Sequence, residues 1–340
     1  TQPLTWAFSL AAAVLLPHYL GARELGAFAV VMVVTGLLRS VALLGIPTYL
    51  VRLVATDPGR AVEATGSALL VVGATTGVSS IALGVVLPTL GILASQAGLL
   101  RVALVASFVS AGVALLACLL QGQERHLRYA WCTAAASVLG TGVGLCALAA
   151  GWRATGYVAA GVVATVPVLA LTWRMAGFHF VRSSWDPRSI GHTLHGGLPF
   201  LGWDMTILIR NQIDVVLVAA LLGEQSAGWL SAAYRIIWIP VFIPTLISTP
   251  LLPVLSRATT DMPAFRLTLR RSAVAVLALT MPASAGILAL APSIPRMLHW
   301  PAEFHHSIVL IMILAFQQPL VGVDTILGCW KARIMISTIE

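Results

Sequence analysis

Long apolar segments follow one another along almost the whole chain, near residues 4–20, 26–50, 64–90, 99–120, 129–150, 155–175, 197–222, 227–254, 267–291 and 304–330, with only short polar punctuation between them. A helix needs about 20 apolar residues to cross the ~30 Å hydrocarbon core of a bilayer, so ten spanning helices are expected. Period-2 alternation is missing, which argues against a membrane barrel. Composition agrees: 59% of residues are hydrophobic and 9% charged, with a mean hydropathy of +0.93, where a soluble domain carries about 25% charged residues. The expected fold class is all-α, a polytopic bundle of transmembrane helices whose solvent is the lipid bilayer.

The net charge of +8 and a pI near 10.0 would suggest a nucleic-acid partner in a soluble chain. Here the cations are scattered between apolar segments and only Lys331 is a lysine, so they read as topology signals and nucleic acid is excluded as a partner. Thirteen of the twenty cations fall in loops after even-numbered spans, among them Arg52, Arg60, Arg125, Arg128, Arg182, Arg188 and Arg257. Four fall after odd-numbered spans, Arg23, Arg101, Arg153 and Arg296, and three lie inside spans. By the positive-inside rule the even loops and the N-terminus are cytoplasmic, and the chain belongs in the cytoplasmic (inner or plasma) membrane. Trp131, Trp152, Trp173, Trp229, Trp300 and Trp330 sit near span ends, where the indole prefers the headgroup region.

Chemistry-bearing motifs are sparse. Cys118, Cys132, Cys146 and Cys329 form no CxxC pair, so neither a disulfide framework nor a zinc site is expected. His192/His195 and the adjacent His305-His306 lack the carboxylates or cysteines that would complete a metal site. No GxxxxGK[ST], GxSxG or HExxH pattern occurs, so the chain is not expected to be an ATPase or another enzyme and is expected to carry no cofactor. No cleavable signal peptide is expected, because the first apolar run lacks a basic flank and is followed by further spans.

The longest loop, residues 177–196, divides the chain into an N-lobe over 1–176 with helices one to six and a partial C-lobe over 197–340 with helices seven to ten. The lobes contain a short repeat. Leu20-Gly21-Ala22-Arg23-Glu24-Leu25-Gly26-Ala27-Phe28 resembles Leu222-Gly223-Glu224-Gln225-Ser226-Ala227-Gly228-Trp229-Leu230. Each copy is a turn with glycines five apart, followed by a helix ending in a basic cap at Arg52 or Arg257. Six spans separate the copies, an even number, so they run in the same direction, as in parallel repeats.

From these residues a family resemblance emerges. Gly21 through Tyr49-Leu50-Val51-Arg52 resembles the first hairpin of the polysaccharide (O-antigen and teichuronic acid) flippases in the multidrug/oligosaccharidyl-lipid/polysaccharide (MOP) exporter superfamily. Gly197-Leu198-Pro199-Phe200, Asn211-Gln212-Ile213-Asp214, Leu222-Gly223, Ala227-Gly228, Ser231-Ala232-Ala233-Tyr234-Arg235 and Pro250 to Ser256-Arg257 follow the family's seventh and eighth helices in order. The resemblance implies a two-lobe transporter that moves an undecaprenyl-diphosphate-linked oligosaccharide across the membrane by alternating access, alongside a polysaccharide polymerase and glycosyltransferases. Family members commonly have twelve to fourteen helices, so part of helix one and the last two to four are expected to lie outside this chain.

Charged residues inside spans are the candidate site. A charge at mid-bilayer costs about 2.5–3.5 kcal/mol on insertion scales, so it normally faces a bundle interior or a wet cavity. Arg39 and Arg210 each fall near the middle of their spans, and Arg210, Asp214, Asn211 and Asp204 share a polar stripe about 120° wide on helix seven. Arg39, Arg210 and Arg235 are expected to line the cleft between lobes and neutralise the diphosphate, because guanidinium binds phosphate bidentately. Trp203, Asn211, Gln212, Tyr234, Gln317 and Gln318 would bind sugar hydroxyls. A purely structural alternative pairs Arg210 with Asp214 at i,i+4. Asp204, Asp214 and Asp324 balance the three arginines, and carboxylates in a low dielectric are also candidates for H⁺ or Na⁺ coupling. Pro240, Pro244, Pro250 and Pro253 each remove a backbone donor from helix eight and make it a candidate hinge. Gly140, Gly142 and Gly144 are expected to permit close helix packing.

Two other functions compete with the flippase. A multidrug or cation antiporter of the same superfamily would want acidic residues inside spans two to six, where only Arg39 is charged. A membrane glycosyltransferase or polymerase would want a catalytic acid and a large outward loop, and the outward loops are short.

Overall fold

The structure is a computed structural model that describes residues 2–89, 93–241 and 262–324. Its elements are helices, in the order α1 (Gln2–Leu43), α2 (Ile46–Thr56), α3 (Ala61–Thr89), α4 (Ala97–Gly122), α5 (His126–Ala149), α6 (Ala154–Ala176), α7 (Pro187–Leu222), α8 (Glu224–Ile237), α9 (Met262–Leu290), α10 (Ile294–Met297), α11 (Ser307–Ala315) and α12 (Gln317–Asp324). No strand occurs among the described residues. Among the described residues, seven helices are long and apolar enough to cross a membrane, or eight if the pair bent by 44° between Ala302–Ala315 and Gln317–Asp324 is one span. The protein is a multi-pass, all-α membrane protein.

Ten spans were expected, and the difference has identifiable causes. The 42 residues of α1 would run about 63 Å if straight, twice the hydrocarbon thickness. Gly21 interrupts it with non-helical dihedrals (φ 70°, ψ 167°), so the first two expected spans appear as one helix bent at a single residue. The second expected span, 26–50, is itself broken. Leu44 (φ 51°) and Gly45 (φ 67°) turn left-handed, and the helix restarts at Ile46-Pro47 as α2, whose Ile46, Leu50 and Val54 are buried at i,i+4 spacing. The second part of the eighth expected span, residues 242–254 with Pro244, Pro250 and Pro253, lies outside the described residues.

The seventh helix begins at Pro187, ten residues before the expected 197, because Asp186 caps it. The Asp186 carboxylate accepts the N–H of Arg188 at 3.0 Å and proline occupies the first turn, where its missing donor costs nothing. The expected 177–196 linker is therefore ten residues shorter, and it is fastened to α3. Ser67 Oγ donates to the Ser184 carbonyl at 3.0 Å and lies 2.9 Å from Ser189 Oγ, and Ser184 Oγ donates to the Glu63 carbonyl at 3.3 Å.

The chain forms two compact units, Thr1–Gly228 and Trp229–Glu340. In the first, Leu115, Leu116, Leu119 and Leu120 of α4 meet Ile46, Leu50 and Val54 of α2 and Ala64, Ala68 and Val72 of α3 in one buried cluster. Loops after the first, third, fifth and seventh expected spans gather at one end. There Arg23 pairs with Glu224 at 3.4 Å, Gln96 donates to Glu224 at 3.4 Å, and Glu24 takes Arg153 at 3.1 Å and the Ala154 N–H at 2.9 Å. Loops after even spans gather at the other, where the serine contacts above lie and Arg128 donates to the Met175 carbonyl at 3.4 Å. The alternation read from arginine counts is thus built into this unit. Because the Arg23 side chain is 85% exposed, Glu224→Gln should change the thermal midpoint by little, on the scale of a surface ion pair of about 0–1 kcal/mol; a melting curve of the purified variant checks this.

The internal repeat is visible in three dimensions. Gly223 (φ 88°, ψ 169°) repeats the dihedrals of Gly21, and only glycine adopts them without strain. Gly26 and Gly228 then lie against each other's helix start: a Cβ at Gly26 would collide with the Glu224 carbonyl, and one at Gly228 with the Ala22 carbonyl. These are equivalent positions of the two copies, so the contact is reciprocal, as about a two-fold axis.

In the second unit, Ser284 Oγ of α9 donates to the Ala315 carbonyl at 2.6 Å, and Trp229 and His306 stack with centroids 4.4 Å apart. The α8 helix ends at Ile237, three residues before buried Pro240. The carbonyl of Ile237 instead accepts Gln318 Nε2, from a side chain only 1% exposed. Gln318→Leu strands that carbonyl and should destabilise the unit by about 1–3 kcal/mol; thermal unfolding in detergent would read it.

Candidate functional site

Four helices of the first unit, α1, α4, α5 and α6, line an open cavity of about 370 Å³. Each presents one stripe at helical spacing: Met32, Thr35, Gly36 and Arg39 from α1; Ala103, Ala106, Ser107 and Ser110 from α4; Ala136, Ser137, Gly140 and Thr141 from α5; Tyr157, Val158, Gly161 and Thr165 from α6. Small side chains leave the space. Gly140 and Gly161 also let α5 and α6 approach, since a Cβ at Gly161 would lie 3.0 Å from the Gly140 carbonyl. Thr165 is eleven residues from either end of α6, about 17 Å of helix, which puts the cavity at mid-depth of that span.

The cavity's charge is one-sided. Among the described residues that line it, Arg39 is the one ionised group and no carboxylate is present. Thr35, Ser107, Ser110 and Thr165 donate to carbonyls of their own helices, to Val31 at 2.8 Å, Ala103 at 2.9 Å, Ser107 at 3.0 Å and Gly161 at 2.7 Å. Arg39, Ser137 and Thr141 have no hydrogen-bond or ion-pair partner among the described residues. Guanidinium is donor-only and each hydroxyl has a proton to give, so the uncommitted groups are donors on one space.

Of the residues expected from the sequence to bind substrate, Arg39 alone among those described lines this cavity. Arg210 is exposed, and Asp204, Asn211 and Asp214 are half-buried, along α7 of the same unit, with Asp214 Oδ1 accepting the Val215 N–H at 2.9 Å. Arg235, Pro240, Gln317 and Gln318 belong to the second unit, where Gln317 is exposed and Gln318 is committed to Ile237. The hydroxyls of α5 escaped the sequence reading, although Ala136-Ser137 and Gly140-Thr141 carry a signal: two small-plus-hydroxyl pairs one turn apart. No group of three metal-ligating side chains occurs among the described residues.

Comparison with known proteins places this architecture. A lipid II flippase, MurJ, in an inward closed conformation superposes with a TM-score of 0.81 at 15% identity, over 96% of this chain and 73% of that one. An inward-facing multidrug resistance MATE family transporter of the MOP superfamily gives 0.73 at 19%, over 97% and 79%. A MATE protein in complex with MaL6 gives 0.64 at 16%, over 96% and 79%. No curated protein matches the sequence. Residues 15–299, most of the chain, match the family described as "Polysaccharide biosynthesis protein". With that match the chain belongs to the polysaccharide biosynthesis protein family, and it shares its fold with the flippase and the transporters above.

Proposed function

We propose that the protein is a transporter that flips an undecaprenyl-diphosphate-linked oligosaccharide, a precursor of a surface polysaccharide, across the cytoplasmic membrane by alternating access, and that it is not an enzyme. What carries this reading is the mid-depth cavity whose charge is a guanidinium without a protein partner among the described residues. A charge held there at a cost of about 2.5–3.5 kcal/mol needs a return, and an anionic substrate supplies one. The cation antiporter of the same superfamily is disfavoured by the same fact, since a cation site would be lined by carboxylates. Membership of a polysaccharide biosynthesis family supports the substrate class, and likeness to a lipid II flippase supports the transport mode.

In this reading Arg39, Arg210 and Arg235 supply positive charge along the path of the substrate, and Asn211 and Gln317 supply hydrogen bonds to its sugars. The excess of arginines at the even end of the first unit supports a cytoplasmic location for that end and for the N-terminus. The experiment is depletion of the full-length gene followed by extraction of lipid-linked oligosaccharide with its membrane face assigned. Accumulation on the cytoplasmic face, relieved by the intact gene, is the expected result. Normal glycan turnover with altered drug or cation tolerance would instead establish the antiporter.

A further inference from the structure

We infer that the cavity among α1, α4, α5 and α6 is a binding site for a single negative charge, held by Arg39, Ser137 and Thr141. It rests on the proposed function only in treating Arg39 as a ligand-binding residue, and it narrows that reading: this site takes a monoanion, not the diphosphate.

The first reason is stoichiometry of charge. A lipid-linked diphosphate diester carries two charges, and the cavity offers one guanidinium with no second cation in its lining. A divalent group would keep one charge uncompensated in a low-dielectric space, which buried ions avoid. The second is donor geometry. Thr35, Ser107, Ser110 and Thr165 have given their hydroxyl protons to their own helices, so their oxygens offer only acceptor capacity. Ser137 and Thr141, one turn apart on α5, still have a proton to give, as does Arg39, and an anion is what three donors without acceptors of their own satisfy. The third is size. About 370 Å³ is the liquid volume of roughly a dozen waters. That suits a hydrated halide or one sugar ring bearing a carboxylate.

Chloride and the carboxylate of an acidic sugar share this chemistry, and one experiment separates them. The full-length protein, purified in detergent, is melted at constant ionic strength in sodium sulfate while one of three salts is added: sodium chloride, methyl glucuronoside with methyl glucoside as neutral control, or methylenediphosphonate. Binding raises the midpoint in a saturable way. A rise with chloride and none specific to the glucuronoside assigns a free inorganic anion; a tighter response to the glucuronoside assigns an acidic sugar. In either case Arg39→Gln should abolish the response, and the double variant Ser137→Ala, Thr141→Val should weaken apparent affinity about tenfold with an unchanged ligand-free midpoint.

The inference is overturned if neither monoanion gives a saturable shift, if Arg39→Gln responds as the parent does, or if diphosphonate binds more tightly than both monoanions. Should Arg39→Gln fail to fold, an unchanged affinity in the hydroxyl variant overturns it instead. Tighter diphosphonate binding would remove the monoanion site and keep the flippase, whereas the flippase itself stands on the membrane-face assay.

Discussion

Cells whose sole copy of the full-length gene carries Arg39→Ala should contain the protein at its usual level and flip almost none of the lipid-linked precursor. The two effects separate because they have opposite signs. Hydrogen bonds between a guanidinium and an anion contribute about 1.5–3 kcal/mol each, so losing two of them lowers productive binding by a hundredfold or more. Removing the charge from mid-depth meanwhile relieves an insertion cost of about 2.5–3.5 kcal/mol, so the variant should melt no lower than the parent. An arginine that merely fastened helices would behave otherwise, losing stability along with activity. Arg39→Lys keeps the charge but not the planar fork, and should retain a minor fraction of transport. The measurements are protein level by quantitative blotting, melting in detergent and precursor on each membrane face; undiminished flipping by Arg39→Ala would remove the residue from the mechanism.

The parts of this fold that hydropathy dictates were legible, and those that depend on single dihedrals were not. Helices α3 to α6 begin and end within three residues of the expected spans, because their limits are set where apolar runs meet polar turns. Apolarity is continuous through Gly21 and through Leu44-Gly45, so a hydropathy reading cannot see that the first residue bends a helix and the second pair stops one. The signal for the second break was local, a glycine two residues ahead of Pro47. Likewise Asp186-Pro187 is a helix start on cap chemistry alone, and the expected later start came from weighing the polarity of 187–196 above it.

The candidate site was half legible. Arg39 stands out in any reading because charge is rare in a span, but what makes it a site is the crossing of four helices, which brings the α5 hydroxyls to the same space. No pattern within one helix contains that. Gln318 shows the converse: a polar side chain in a span suggested a sugar ligand, and the structure places it on the backbone carbonyl of Ile237. A helix that stops short of a proline has carbonyls to satisfy, and the nearest amide serves.

The repeat was legible as nine residues and gains its meaning from the contact, which leads to the second large effect. Gly26→Ala and Gly228→Ala should each disrupt the crossing of α1 and α8, because the added Cβ meets backbone, Glu224 or Ala22, that cannot rotate away. Overpacking in a well-packed core costs typically about 1–3 kcal/mol and more where nothing flexible can yield, so about 3 kcal/mol or above is expected for each. The costs should not add. Either methyl forces the same two helix starts apart, and once they are apart the second methyl finds room, so the double variant should be much less than twice as destabilised as the singles. Ala27→Gly, one position along the same helix, offers a control that perturbs helix propensity by about 1 kcal/mol without touching the crossing by added bulk. Melting temperatures of the four proteins in detergent decide the matter. Additive losses would mean that the glycines act at separate places, and that the reciprocal contact is not what the repeat preserves.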